Sequence, residues 1–440
     1  MNQYSNKGLN PSIENHDVQS ESQNPLNPFD KNHDVQNESQ NSLNSLDKNH
    51  DIPKNYEYHK VNETHPCNVT VVIFDPRLTI KGYFKSKRSL FTAIESVAKN
   101  LNPKESVCFS IQTSACIITD DNDSVNNSPE AKAYNAILSN TKPNEYPNFY
   151  EYLVNSGRVR VSILDYAKYK LKSCSNFISP NYAWMNVHYW EDEFVNGVDS
   201  DLLFFVQDDS VLCEPIDITR WSDIAMVGAP WPNVHGSVPK PSMCSFLETK
   251  FYSWMKENVL TEEQQKIEFC PKEKGIHGNG GLSMRSRSWI QKAIRACPHL
   301  QYSGLSAEEI ANADCSLNEG VPEDVYYAAI LRYLNAPLPT AFEASLFSSE
   351  MIVPYQVAYE WWGPKDDKTE MKRLAKKRLT DDHYIKFERY IDNDKLHASE
   401  QGKMYFIPIG FHNTWFYHSR SFLEYITQQC PAFNVIRYQY

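Results

Sequence analysis

The sequence predicts an α/β domain, a doubly wound central sheet with helices on both faces, and three observations predict it. Apolar runs of strand length recur along the chain, segments with helical apolar spacing stand between them, and several runs end abruptly in carboxylates or glycines. Strands buried on both faces need continuous apolar runs, and strand, helix, strand at this rhythm implies parallel strands joined by crossovers.

The first 66 residues stand apart. NHDVQSESQNPLNPFDK from Asn15 is followed by NHDVQNESQNSLNSLDK from Asn32 and by NHDIPKN from Asn49, a tandem repeat of 17 residues. It is rich in Asn, Gln, Ser and Asp and lacks the apolar positions that a solenoid stacks, so it cannot bury enough surface to offset chain entropy. The expectation is a disordered tail over 1–66 and one folded domain over 67–440.

Within that domain VTVVIFDPR (Val69–Arg77) reads as a buried strand closed by Asp75, Pro76 and Arg77, and Ser89–Leu101 as a helix with Leu90, Ile94 and Val97 inward. SVCFSIQTS (Ser106–Ser114) and RVRVSIL (Arg158–Leu164) supply two more strands, and Tyr182–Glu193 a helix with Trp184, Val187 and Trp190 inward. DLLFFVQDDSVLC follows, with the strand Leu202–Val206 carrying Asp208 and Asp209 to its end. Then come IAMVGAPW (Ile224–Trp231), GIHGNGGLSMRSR (Gly275–Arg287), whose glycines make a turn before a short strand from Leu282, and VPEDVYYAAIL (Val321–Leu331), a helix opened by Pro322. The charged stretch Lys365–Asp394 reads as a solvated helix.

Composition narrows the function. A formal net charge of -11 and a pI near 5.7 exclude an electrostatic grip on nucleic acid or on an anionic membrane, which both want clustered Lys and Arg. No apolar run approaches the roughly 20 residues of a membrane span, and Met1 opens onto polar residues unlike a signal peptide. The sequence therefore reads as soluble, with the cytoplasm favoured. Ten scattered cysteines form no CxxC pair, which argues against a zinc finger and leaves disulfides open. Tripeptides of the Asn-x-Ser/Thr type occur at Asn37, Asn62, Asn68, Asn122 and Asn126, in an Asn-rich chain where chance also makes them.

Two acidic clusters carry the chemistry. Asp208 and Asp209 after a buried strand offer hard oxygen ligands suited to Mg²⁺ or Mn²⁺, at the sheet edge where α/β proteins bind ligands; acids there also serve as turn formers and helix caps. Glu323 and Asp324 sit at a helix start, where the dipole also welcomes acids that only cap. A first strand ending in DPR lacks the GxGxxG turn of dinucleotide enzymes, and no GxSxG elbow is present.

The ordered set FVQDDSVLC, VGAPW, GNGGLSMRSR, PEDVYYA and IGFHNTW resembles an uncharacterised family of glycosyltransferase-like proteins with the GT-A, nucleotide-diphospho-sugar transferase fold, over about Val69–Phe416. The resemblance implies a Rossmann-type mixed central sheet flanked by helices on both faces. It puts QDDS in the place of the Asp-x-Asp motif, with Asp209 as direct ligand of Mn²⁺ or Mg²⁺, Asp208 as ligand or ribose partner, and Gln207 where an acid often stands. It implies Gly280 and Gly281 under the transferred sugar, Asp324 or else Glu323 as the base, and His412 as a third metal ligand. Asp75, Arg77 and Arg285 become contacts to a UDP- or GDP-sugar donor, and the acceptor a glycan or other hydroxyl-bearing molecule. Trp231, Trp361 and Trp362 are candidates to stack on a sugar, or else core residues. Three functions follow: a metal-dependent, inverting glycosyltransferase; a catalytically inactive glycan- or nucleotide-binding module, which Gln207 favours; and a hydrolase, which needs two carboxyls facing each other about 5 to 10 Å apart.

Overall fold

The chain falls into two units, Met1–Asn55 and Tyr56–Tyr440. A computed structural model describes residues 67–75, 88–114, 128–164, 184, 187–194, 200–231, 276–295, 323–324, 327–328, 331, 334–350, 368–392, 406–413 and 420–437, all in the second unit. The repeat over 1–66 lies outside the described residues, as do Arg77, Trp361 and Trp362.

In chain order come β1 (Val69–Phe74), helix α1 (Arg88–Asn100), β2 (Val107–Ser114), helix α2 (Pro129–Asn140), β3 (Val159–Leu164), β4 (Leu202–Val206), β5 (Ser210–Leu212), β6 (Met226–Gly228) and β7 (Leu282–Ser286); of these, α2, β5 and β6 were not expected from the sequence. All of these strands except β5 assemble into a six-stranded sheet of order β3-β2-β1-β4-β7-β6. The first four run parallel, with Val69 opposite Val107 and Ile73 opposite Val206, whereas β7 runs antiparallel to both β4 and β6. The mixed sheet arises because β4 leaves through a tight turn, and the chain returns through glycines straight down its flank.

Burial explains the pattern. All five residues of β4 are buried, since it lies at the middle of the sheet with both faces covered. In α1 the predicted stripe of Leu90, Ile94 and Val97 is buried, and α1 packs on β5 and on the last helix. The helix before β4 spans Val187–Asp192, and Trp184 and Trp190 are buried beside Phe205.

A second, three-stranded sheet is built from β5, β8 (Ser348–Ser349) and β9 (Gly410–His412), in the order β8-β9-β5. Helix α3 (Arg287–Arg295) follows β7, and α4 (Ala341–Phe347) leads into β8 behind a Thr340–Glu343 capping box. The stretch read as one solvated helix is instead two, α5 (Lys368–Arg378) and α6 (Asp381–Asp392), broken at Leu379 and Thr380. Each buries a stripe, Met371, Ala375 and Arg378 on α5 and His383, Phe387 and Ile391 on α6. The charges masked that spacing because they occupy the outer faces of each helix. Helices α7 (Arg420–Gln429) and α8 (Pro431–Arg437) end the described chain.

Candidate functional site

The site begins where β4 stops. The Gln207 amide donates to the Gly281 carbonyl (2.9 Å) and the Ser210 amide to the Gln207 carbonyl (3.2 Å), closing a turn before β5 joins the second sheet. Asp208 and Asp209 sit half-buried on this turn, pinned to the central sheet on one side and to the second sheet on the other. Asp75 lies two residues beyond Ile73 on the neighbouring β1, buried, its amide donating to the Gln112 carbonyl (3.0 Å).

Opposite Ser210, β9 delivers His412. Its Nε2 lies 3.2 Å from Asp209 Oδ1 and its Nδ1 3.7 Å from Glu350 Oε1. The next residue, Asn413, takes the left-handed conformation (φ 48°) and donates its amide to the Asp209 carbonyl (3.1 Å), so the two turns lock together. Glu350 follows β8, the strand paired with β9, which explains how residues far apart in sequence meet.

The glycine turn fills the remaining side. A Cβ at Gly281 would run into the His412 ring, and one at Gly280 would stand 2.5 Å from Glu323 Oε1 and 2.8 Å from Arg285 Nη2. Only glycine allows the backbone that close. The Gly280 amide donates to Asp324 Oδ2 (2.8 Å). Asn279 bridges, its Oδ1 accepting from the Gly281 amide (2.9 Å) and its Nδ2 donating to Glu350 Oε2 (2.9 Å).

Glu323 and Asp324 are helical, as are Tyr327, Ala328 and Leu331, but the two acids differ in environment. Glu323 pairs with Arg285 at 3.0 Å, with side chains 3% and 0% exposed. The guanidinium lies 4.6 Å from the Phe205 ring centroid, 5.1 Å from Trp184 and 5.6 Å from Tyr327, and Nε donates to Ser283 Oγ (3.0 Å). Arg285 was expected at a donor phosphate; it is enclosed instead, because its strand position points it between three aromatic rings. Both acids lie against Gly280, but Glu323 is committed to its pair with Arg285, while Asp324 accepts from the Gly280 amide.

The charge balance is lopsided. Burial alone lowers the pKa of His412, yet Asp209 above all, with Glu350 and Asp324, more than reverses this and raises it to about 9. The pocket thus draws a proton onto the imidazole at neutral pH. The same donors, carboxylate oxygens with one imidazole, suit Mn²⁺ or Mg²⁺ in chemistry and in charge. Among the described residues, no three His, Cys, Asp or Glu side chains stand as a ready-made metal cage.

Asp75, Asp208, Asp209, Gly280, Gly281, Asp324 and His412 therefore fall at the carboxyl edge of β1 and β4 or on the turn, helix and strand packed there, while Arg285 and Glu323 lie beneath Gly280. Sequence reasoning missed Glu350 and the bridging role of Asn279. Asn279 stood inside the GNGG motif, but Glu350 had no signal beyond a lone acid after a short serine strand. The strand Pro230–Trp231 pairs with Ile276–His277 beside this turn.

A family model described as a protein of unknown function (DUF5672) matches residues 173–362, a stretch that includes the QDDS, GNGG and PED segments. No curated protein matches. Among solved structures, the chain is similar to the apo-form glycosyltransferase GlyE of Streptococcus pneumoniae TIGR4, with 11% identity and a TM-score of 0.30, covering 81% of this chain and 55% of that one. The chain thus spans little more than half the length of that structure.

Proposed function

We propose that this chain is a glycosyltransferase that moves a sugar from a nucleotide-diphosphate donor to a hydroxyl of a glycan or similar acceptor, with inversion. One observation carries the reading: two separate acidic groups, Asp209 beside His412 and Asp324 on the Gly280 amide, converge on a glycine turn at the carboxyl edge of the parallel strands β1 and β4. Transfer to a hydroxyl asks for two opposite tasks, and the two groups are chemically suited to one each.

Asp324 takes the proton of the acceptor hydroxyl as that oxygen attacks the anomeric carbon. Base catalysis of this kind contributes about two to four powers of ten. The bond from the anomeric carbon to the diphosphate breaks and the diphosphate leaves with the electron pair. The Gly280 amide orients the Asp324 carboxylate, and the Arg285–Glu323 pair stiffens the turn from below, with Arg285 Nη2 3.4 Å from the Gly280 carbonyl. Asp209 and His412, with Asp208 adjacent, would hold Mn²⁺ or Mg²⁺, which neutralises charge on the leaving diphosphate when bound. Glu350 and Asn279 hold His412 and Gly281 in register. The glycines let the turn pack directly on His412 and on the Arg285–Glu323 pair.

A binding module without turnover is the second reading. Gln207 favours it, because a neutral amide stands on the turn where a further carboxylate would strengthen a hold on the cation.

The test is release of nucleoside diphosphate from a panel of UDP- and GDP-sugars, with Mn²⁺ or with EDTA, comparing the intact chain with Asp209→Ala and Asp324→Ala. Metal-dependent release from one donor, lost in both variants, is expected. Tight donor binding without release would replace the transferase with the binding module.

A further inference from the structure

We infer that Asn68 is an N-glycosylation site, modified in an oxidising compartment while the chain is still folding. All four described cysteines are paired: Cys67 with Cys108, tying the starts of β1 and β2, and Cys213 with Cys430, tying the end of β5 to the α7–α8 junction. Disulfides form and persist in oxidising surroundings, which are also where Asn-x-Ser/Thr segments meet the enzyme that modifies them. This weighs against the cytoplasmic expectation drawn from the sequence.

Asn68-Val69-Thr70 is such a segment, and its geometry suits a glycan. Asn68 is exposed, while its backbone is held on both sides: its amide donates to the Ser106 carbonyl (2.8 Å) and its carbonyl accepts from Ser200 Oγ (2.5 Å). A sugar there would project from a fixed point. Asn68 stands at the amino end of β1 and the candidate site beyond the carboxyl end. Seven residue-to-residue steps of extended chain lead from Asn68 to Asp75, roughly 23 Å at 3.3 Å per step. A glycan at Asn68 therefore leaves the site open.

The hydroxyl of Thr70 sets the timing. In the folded chain it is buried and accepts from the Ser200 amide (3.0 Å), so the segment can be read only before β1 and the segment at Ser200 come together. In the transfer, Asn68 Nδ2 displaces the diphosphate from the anomeric carbon of a lipid-diphosphate-linked oligosaccharide. The C–N bond forms as the C–O bond to phosphate breaks, the diphosphate leaves with the bonding pair, and the amide nitrogen gives one of its two protons to a base of the transferring enzyme.

The experiment directs the full chain through the secretory pathway of a eukaryotic host and maps its peptides before and after enzymatic glycan release. The Asn68 peptide is expected to carry a glycan and, on release, to show the mass of an aspartate in place of the asparagine, with the Cys67–Cys108 bond intact. Asn68→Gln should run one glycan step smaller on a gel and fold unchanged. Brief reductant during synthesis should raise occupancy at Asn68, because sheet closure is delayed. An unmodified Asn68 beside a formed Cys67–Cys108 disulfide would overturn the inference, and so would unpaired Cys67 and Cys108 in the secreted chain.

Discussion

Two regions of this molecule bury charge, and they do so differently. Where α5 packs on α4, Arg378 (3% exposed) pairs with Glu343 (6% exposed) at 2.7 Å and with Asp223, donates to the Arg220 carbonyl (2.6 Å) and covers the Trp221 ring. Burial pushes the Asp223 carboxyl up, but hydrogen bonds from Arg378 and Lys377 hold it below the usual range. Lys377, exposed, adds a second cation to Asp223 at 2.8 Å. Each charge there has an opposite neighbour. At the end of β4, by contrast, Asp209, Glu350 and Asp324 gather around one histidine, and glycines let the backbone pack directly against that ring and against the Arg285–Glu323 pair. A structural ion pair is neutral and filled. The candidate site instead gathers more acids than cations, and such an imbalance marks a functional-site candidate where a balanced pair only joins helices.

That contrast can be broken by substitution. Asp324→Ala should lower turnover by about two to four powers of ten, with the melting temperature almost unchanged; a large loss of stability with little loss of rate would make Asp324 a structural acid like Glu343. Arg378→Ala should do the reverse, costing about 3–5 kcal/mol in denaturant unfolding because Glu343 is left buried without its partner. Its turnover at equal folded fraction should stay at the wild-type level. Gly281→Ala should cost about 1–3 kcal/mol and also weaken metal or donor binding, since its methyl displaces the His412 ring; a binding isotherm separates the two effects.

The smallest expected effect is a slope. The His412 pKa is raised from 6.5 to about 9 on folding, so its stabilising contribution is whole below about pH 6.5 and is lost as pH rises through about 9. Urea unfolding in EDTA should therefore show stability falling between those values by at most about 1.4 kcal/mol per pH unit. His412→Gln should flatten that fall. A wild-type slope unchanged in the variant would show that the carboxylates do not hold a proton on His412.

Much of the fold was legible in advance for a simple reason. β1 and β4 are nearly continuous apolar runs, β2 and β3 place apolar residues between polar ones, and α1 repeats its apolar residues at helical spacing, so local pattern and final burial agree. Within the site, Asp209, Gly280, Gly281, Asp324 and His412 were visible as motifs. Glu350 was not, because an acid becomes part of a site only through what the chain folds beside it, and Ser349 on β8 meets Phe411 on β9 across a long stretch of intervening chain. Nor could the chain say that Glu323 and Asp324, adjacent and chemically alike, would part.

The sequence alone determined the strands β1 to β4 and helix α1, the contrast between a polar repeat and an apolar-patterned remainder, and the two acidic clusters, since these follow from periodicity and composition. Only the tertiary structure decided the antiparallel return of β7, the burial of Arg285 among Phe205, Trp184 and Tyr327, the pairing of Glu323 and the cysteine partners. Those depend on which distant surfaces meet, and on the cost of burying a charge that has no opposite charge within reach.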